Sequence, residues 1–135
     1  MITDAVKKLG NESFYNITNL KKVSFEDNSS ITVIPSNCFN YCYDLEQVVL
    51  PSSLTKIEYG AFENCRDLIE IYNLSEMELT IGSTDNGYVA RYAFIIHKSM
   101  DEEPLTETRI GKFLYWHSDD LWVVKSYSGT DKKLE

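Results

Sequence analysis

The sequence predicts an α+β chain: a short right-handed solenoid of about three turns, followed by a helix and a β-hairpin region. One motif comes round three times in the first half. It stops after Tyr72. Beyond that point, aromatic and β-branched runs flank a short polar turn.

The recurring motif reads Val6-x-x-Leu9, then Phe14, Ile17, Leu20, Val23 and Phe25. The second pass gives Ile31-x-x-Ile34, then Phe39, Cys42, Leu45, Val48 and Leu50, and the third gives Leu54-x-x-Ile57, then Phe62, Cys65, Leu68 and Ile71. The phenylalanines lie 25 and then 23 residues apart, and Leu20, Leu45 and Leu68 keep both spacings. A period of this length is that of a leucine-rich-repeat solenoid, in which one supersecondary unit makes each turn. No turn buries its apolar face alone. Stacking places like residues above like, in ladders of Phe, Leu and Val/Ile.

Each turn holds two short strands. Leu20-x-x-Val23-x-Phe25, Leu45-x-x-Val48-x-Leu50 and Leu68-x-x-Ile71 match the Leu-x-x-Leu-x-Leu strand of this class. Ile31–Ile34 and Leu54–Ile57 give a second strand on the opposite side, with Pro35 and Pro51 at strand exits, where a missing N–H costs least. Around the phenylalanines, Asn11–Asn16, Ser36–Tyr41 and Tyr59–Asn64 suit one-turn helices, with Ser36 as a cap.

Residues 74–135 form a second region, expected to pack on the open end of the solenoid, where the last turn otherwise leaves Phe62 and Leu68 uncovered. Met77–Ile81 reads as a strand. Val89, Tyr92, Ala93 and Ile96 fall at helical spacing, which predicts a helix over Tyr88–His97 capped near Asn86. Met100–Pro104 is an acidic loop. Arg109–His117 and Leu121–Tyr127 predict a hairpin around Ser118-Asp119-Asp120, with Trp116 opposite Trp122.

The chain has 135 residues, enough for one domain, and is 43% hydrophobic, enough for a core. Its net charge is −8, shared evenly: residues 1–73 carry 6 basic and 10 acidic groups, residues 74–135 carry 7 and 11. No basic footprint for nucleic acid exists, and no run approaches the ~20 apolar residues of a membrane span. The N-terminus has neither the basic nor the apolar segment of a signal peptide. The motif begins at Val6 without a polar cap, which suggests a piece of a longer array with neighbouring repeats.

Cys42 and Cys65 share the slot of Ile17, and Cys38 stands where Ser13 and Ala61 do. All three read as small buried groups, with a Cys38–Cys42 or Cys42–Cys65 bridge as the alternative in an oxidising compartment. His97 and His117 sit in different elements, and no nucleophile motif accompanies them, so no catalytic residues are expected. Two histidines without Cys-x-x-Cys spacing do not make a zinc site, and Asp101-Glu102-Glu103 lacks the alternation of a calcium loop, so neither metal nor cofactor is expected. Four sequons, at Asn11, Asn16, Asn28 and Asn73, would take glycans only in a eukaryotic secretory route.

Ile34-Pro35, Cys38-Phe39, Cys42-x-x-Leu45, Leu50-Pro51 and above all Gly60-Ala61-Phe62-x-x-Cys65-x-x-Leu68 resemble the BspA-like leucine-rich repeats. The likeness covers about residues 6–73, and the first turn departs from it at Glu12-Ser13 and Ile17. Ile81–Val89 also resembles the non-repeat segments that interrupt such arrays. The resemblance implies extracellular, cell-surface display and adhesion to a host or matrix protein.

The candidate protein-binding face follows from the strand pattern. Between the ladder residues, Lys22, Ser24, Gln47, Val49, Glu70 and Tyr72 point outward, with Val49 and Tyr72 exposing apolar area in one column. Tyr115, Trp116 and Trp122 form a second, aromatic patch. Two functions fit: a non-enzymatic binding module using such a face, or a structural spacer of a surface array with no ligand of its own.

Overall fold

The computed structural model describes residues 1–110 and 112–127, with Ser126 and Tyr127 described by backbone alone. The chain forms two compact units, Met1–Met100 and Asp101–Glu135. Nine strands are present among the described residues: β1 Lys22–Val23, β2 Val33–Ile34, β3 Gln47–Leu50, β4 Lys56–Ile57, β5 Glu70–Asn73, β6 Ile95–His97, β7 Thr106–Ile110, β8 Phe113–His117 and β9 Trp122–Tyr127.

In the first unit, β1, β3, β5 and β6 make one parallel sheet in that order, and β2 and β4 make a second. The register is set by the apolar slots. Val23 lies beside Val48, Val48 beside Ile71, and Ile71 beside Ile96, so β-branched side chains stack in one column. Phe14, Phe39 and Phe62 stack between the two sheets, ring centroids 5.0 and 5.1 Å apart. Phe39 is fully buried. Burying such a side chain is worth roughly 1.5–3 kcal/mol. The N–H of each phenylalanine donates to the next turn: Phe14 to Cys38 O at 2.9 Å, Phe39 to Ala61 O at 2.7 Å, Phe62 to Gly87 O at 2.7 Å.

The α+β class does not hold. No α-helix exists among the described residues, only a single 3-10 turn at Asn86–Tyr88. The segments around the phenylalanines are hydrogen-bonded turns rather than one-turn helices. Their cause is a recurring left-handed residue: Glu12 (φ 58°), Asn37 (φ 56°), Gly60 (φ 68°) and Asn86 (φ 51°) occupy equivalent places. A second set follows at Asn16, Tyr41 and Asn64 (φ 58–63°). A positive φ at these places stops a right-handed helix from continuing, and Asn and Gly tolerate that conformation best.

The predicted helix over Tyr88–His97 is instead a fourth turn. Asn86, Gly87 and Tyr88 all have positive φ, which breaks the helical path, and Ile95–His97 then pairs parallel to Glu70–Tyr72. Ala90 and Ala93 are buried where the preceding turn has Cys65 and Leu68. Phe62 and Leu68 are therefore covered, each 1% exposed. Residues 74–100 belong to the same compact unit as the three regular turns.

In the second unit, β7, β8 and β9 form an antiparallel sheet. Arg109 lies in β7 rather than in the hairpin strand. The β8–β9 register pairs His117, not Trp116, with Trp122, because Ser118 N closes onto Leu121 O at 2.9 Å and leaves Asp119-Asp120 as a two-residue turn, one residue shorter than expected. A register irregularity between Leu114 and Tyr115 bends the pair.

Candidate functional site

The outward columns of the parallel sheet change character along the stack. Lys22 is exposed, Ser24 and Gln47 are half-buried, and Glu70 is buried. Val49 and Tyr72 are 5% and 4% exposed, so they do not present the apolar area expected of them. Val49 lines a cleft of about 360 Å³ together with Lys22, Ser24 and Leu74.

The arrival of β6 closes the far end of these columns. The Tyr72 ring stacks on the His97 imidazole at 4.2 Å. His97 Nε2 lies 2.8 Å from Glu70 Oε2, and Gln47 Nε2 donates to Glu70 Oε1 at 2.7 Å. A buried carboxylate needs such partners, because desolvation otherwise disfavours its charge. His97 is thus a strand residue in a polar cluster, not part of a helix.

The aromatic patch of the second unit divides between two sheet faces. Trp116 is 9% exposed, with Lys125 Nζ 4.8 Å from its ring centroid. Trp122 is 52% exposed. It stacks on His117 at 4.0 Å and meets Tyr115 edge-on at 5.7 Å. His117 Nε2 also hydrogen-bonds Thr108 Oγ1 at 2.7 Å. Tyr115, His117 and Trp122 form one aromatic surface, and Trp116 lies on the opposite face. Nearby, a hydrogen bond and the like charge of Asp119 raise the Glu103 carboxyl above its ordinary value.

A third surface was not read from the sequence. Tyr15 and Tyr41 meet edge-on at 5.6 Å, and Tyr41 and Tyr43 at 5.8 Å. Tyr15 and Tyr43 are 42% and 39% exposed, and Ile17, close to Tyr15 in sequence, is 41% exposed. These tyrosines sit outside the apolar slots, in turn positions where the other repeats carry polar residues: Asn40 and Glu63 for Tyr15, Asn16 and Asn64 for Tyr41, Thr18 and Arg66 for Tyr43. That departure was the available signal: an aromatic residue at a polar turn position is not needed by the core.

The cysteines are packing groups with a weak donor. All three are free and buried. Cys42 Sγ donates to Phe14 O at 3.2 Å, and Cys65 Sγ to Phe39 O at 3.1 Å. Burial raises every one of these thiols, Cys38 to about 11. No group of His, Cys, Asp and Glu among the described residues is arranged to hold a metal ion. No helix among them is long and apolar enough to cross a membrane. The Asn73 sequon is tied into a turn: Asn73 is 1% exposed, donates to Met77 O at 2.8 Å and accepts from Ser75 Oγ at 2.6 Å.

Comparison with known proteins agrees with the repeat geometry. A family model described as a BspA type leucine rich repeat region (6 copies) matches residues 1–85, more than half of the chain. No curated protein and no solved structure matches it. Repeats of this family typically act as non-catalytic protein-interaction modules, and its members are commonly surface-associated. From the stacked phenylalanine turns and this match together, the chain belongs to the BspA-type leucine-rich repeat family.

Proposed function

We propose that this chain is a non-enzymatic adhesion module of a cell-surface repeat protein and that it binds a host or matrix protein. The observation that carries this reading is the Tyr15–Tyr41–Tyr43 row, in which exposed Tyr15 and Tyr43 flank the half-buried Tyr41. Tyrosine contributes large contact area at low entropic cost, and it is enriched where binding energy concentrates. Lys22, Ser24 and Gln47 supply a polar neighbouring face, and Tyr115 with Trp122 a second aromatic surface. Val49, Glu70, Tyr72 and Trp116 are buried and stand outside these surfaces.

A second reading, a structural spacer, is supported by the first turn. Phe14 and Leu20 are only half-buried there and line a cleft of about 190 Å³, an apolar end suited to further stacking. Binding to a panel of immobilised matrix proteins separates the two. Saturable binding weakened by Tyr15→Ala and Tyr43→Ala supports adhesion. Its absence in a folded chain supports the spacer.

A further inference from the structure

The second parallel sheet stops one rung early. Leu9, Ile34 and Ile57 are equivalent by repeat spacing, so Lys8 stands to Val33 as Val33 stands to Lys56. Val33 and Lys56 pair, and Lys56 N donates to Thr32 O at 3.1 Å while Glu58 N donates to Ile34 O at 2.9 Å. In a parallel ladder, successive residues direct their backbone groups to opposite sides. Thr32 and Ile34 face β4, so the N–H and C=O of Val33 face the first turn. No backbone hydrogen bond joins Val33 to residues 7–9. A cleft of about 640 Å³ opens there instead, lined by Lys7, Lys8, Leu9, Ile31, Val33 and Pro35 among others. That volume falls within the roughly 300–1,000 Å³ of ligand pockets.

The charge in this cleft opposes the charge of the chain. Neither Lys7 nor Lys8 meets a carboxylate within ion-pair distance among the described residues. Lys7 Nζ donates only to the backbone carbonyl of Asp4, at 2.5 Å. The cleft's carboxylate, Glu58, is already engaged: it accepts from Ser36 N at 3.1 Å and pairs with Lys56 at 3.5 Å. Two ammonium groups therefore stand beside an open strand edge on a molecule of net charge −8.

We infer that the cleft between residues 7–11 and β2 takes an extended acidic peptide of a partner protein by strand addition. The peptide backbone bonds to Val33, alternate apolar side chains enter the cleft toward Ile31 and Pro35, and a carboxylate meets Lys7 or Lys8. An unpaired strand edge is a template for such pairing, and backbone bonds supply affinity while alternating pockets supply selectivity. The inference rests on the protein-binding reading for its class of ligand, but it uses a surface separate from the tyrosine row.

The test titrates the isotope-labelled chain with synthetic acetyl-Val-Glu-Val-Glu-Val-amide, its lysine counterpart, and a copy N-methylated at the central valine. The acidic peptide shifts the Val33 amide resonance and binds about tenfold more tightly than the N-methylated copy, the loss expected for a broken backbone bond. Lys7→Glu with Lys8→Glu reverses the preference between acidic and basic peptides. Val33→Pro weakens binding while sparing the bonds to β4; the N-methylated peptide makes the same test without altering the chain. No shift at Val33, or equal binding of the N-methylated copy, overturns the inference. Tyr15→Ala leaves this titration unchanged, so failure here and failure of the tyrosine-dependent adhesion are read separately.

Discussion

The ring of Phe62 lies 5.1 Å from that of Phe39 and within 14° of parallel. Phe14 repeats the relationship on the other side of Phe39 at 5.0 Å. Phe39 is therefore held on both faces, and its truncation leaves a cavity that neither neighbouring turn can fill. Phe39→Ala is expected to cost about 3–5 kcal/mol. Urea unfolding, followed by circular dichroism, measures it. Phe14→Ala, at the half-buried end of the row, costs less.

The Glu70–His97 contact predicts a different kind of loss. His97→Ala removes a hydrogen bond to a buried carboxylate and the ring stacked on Tyr72. The bond alone accounts for roughly 1.5–3 kcal/mol. Glu70→Gln keeps a hydrogen-bonding group in place and costs less. Amide hydrogen exchange over residues 95–97 localises the effect: protection falls in β6 first, because this contact ties β6 to β5.

Gly87 is the tightest point of the fourth turn. A Cβ there would stand 2.6 Å from Glu58 O, 2.9 Å from Ala61 Cβ and 2.9 Å from Ile57 Cγ2, at φ +64°. Gly82 also has positive φ (+86°), yet a Cβ there would meet nothing within 4 Å. Gly82→Ala is thus expected to cost about 1–2 kcal/mol for the backbone conformation alone. Gly87→Ala costs more and breaks the rung from Phe62 N. Thermal unfolding of both variants side by side checks the order.

The buried thiols predict a pH dependence. Burial raises all three, so the folded chain holds their protons where the unfolded chain has released them. Their contribution is complete below the ordinary thiol value of about 8.5. It declines as pH rises from there toward about 11, the Cys38 value. Stability measured from pH 7 to 10.5 falls over the alkaline part of that range, and a Cys38→Ala variant falls less steeply. In the native chain at pH 8, iodoacetamide labels none of the three until denaturant is added.

The three regular turns were legible because their slots demand large apolar side chains, and those recur at fixed spacing. Leu45 and Leu68 could be placed above one another from the sequence alone. The fourth turn was hidden for a physical reason. Ala90 and Ala93 fill its slots with the smallest apolar side chain, and the Phe slot has no phenylalanine. Val89, Tyr92, Ala93 and Ile96 happen to fall at helical spacing, while the left-handed Asn86, Gly87 and Tyr88 that forbid the helix carry no apolar signal. The outward columns were expected from strand alternation, but Val49, Glu70 and Tyr72 are buried, and Tyr72 lies beside His97, a neighbour the missed turn supplies. The tyrosine row escaped notice because a periodicity search weighs residues in slots, and Tyr15, Tyr41 and Tyr43 lie between them.

The central claim, that the exposed tyrosine row binds a protein, has one direct measurement. The chain and a Tyr15→Ala, Tyr43→Ala variant are passed over immobilised matrix proteins, with circular dichroism confirming that both are folded. Saturable binding that weakens about tenfold or more in the variant is expected. Equal binding by both chains, or none by either, contradicts it.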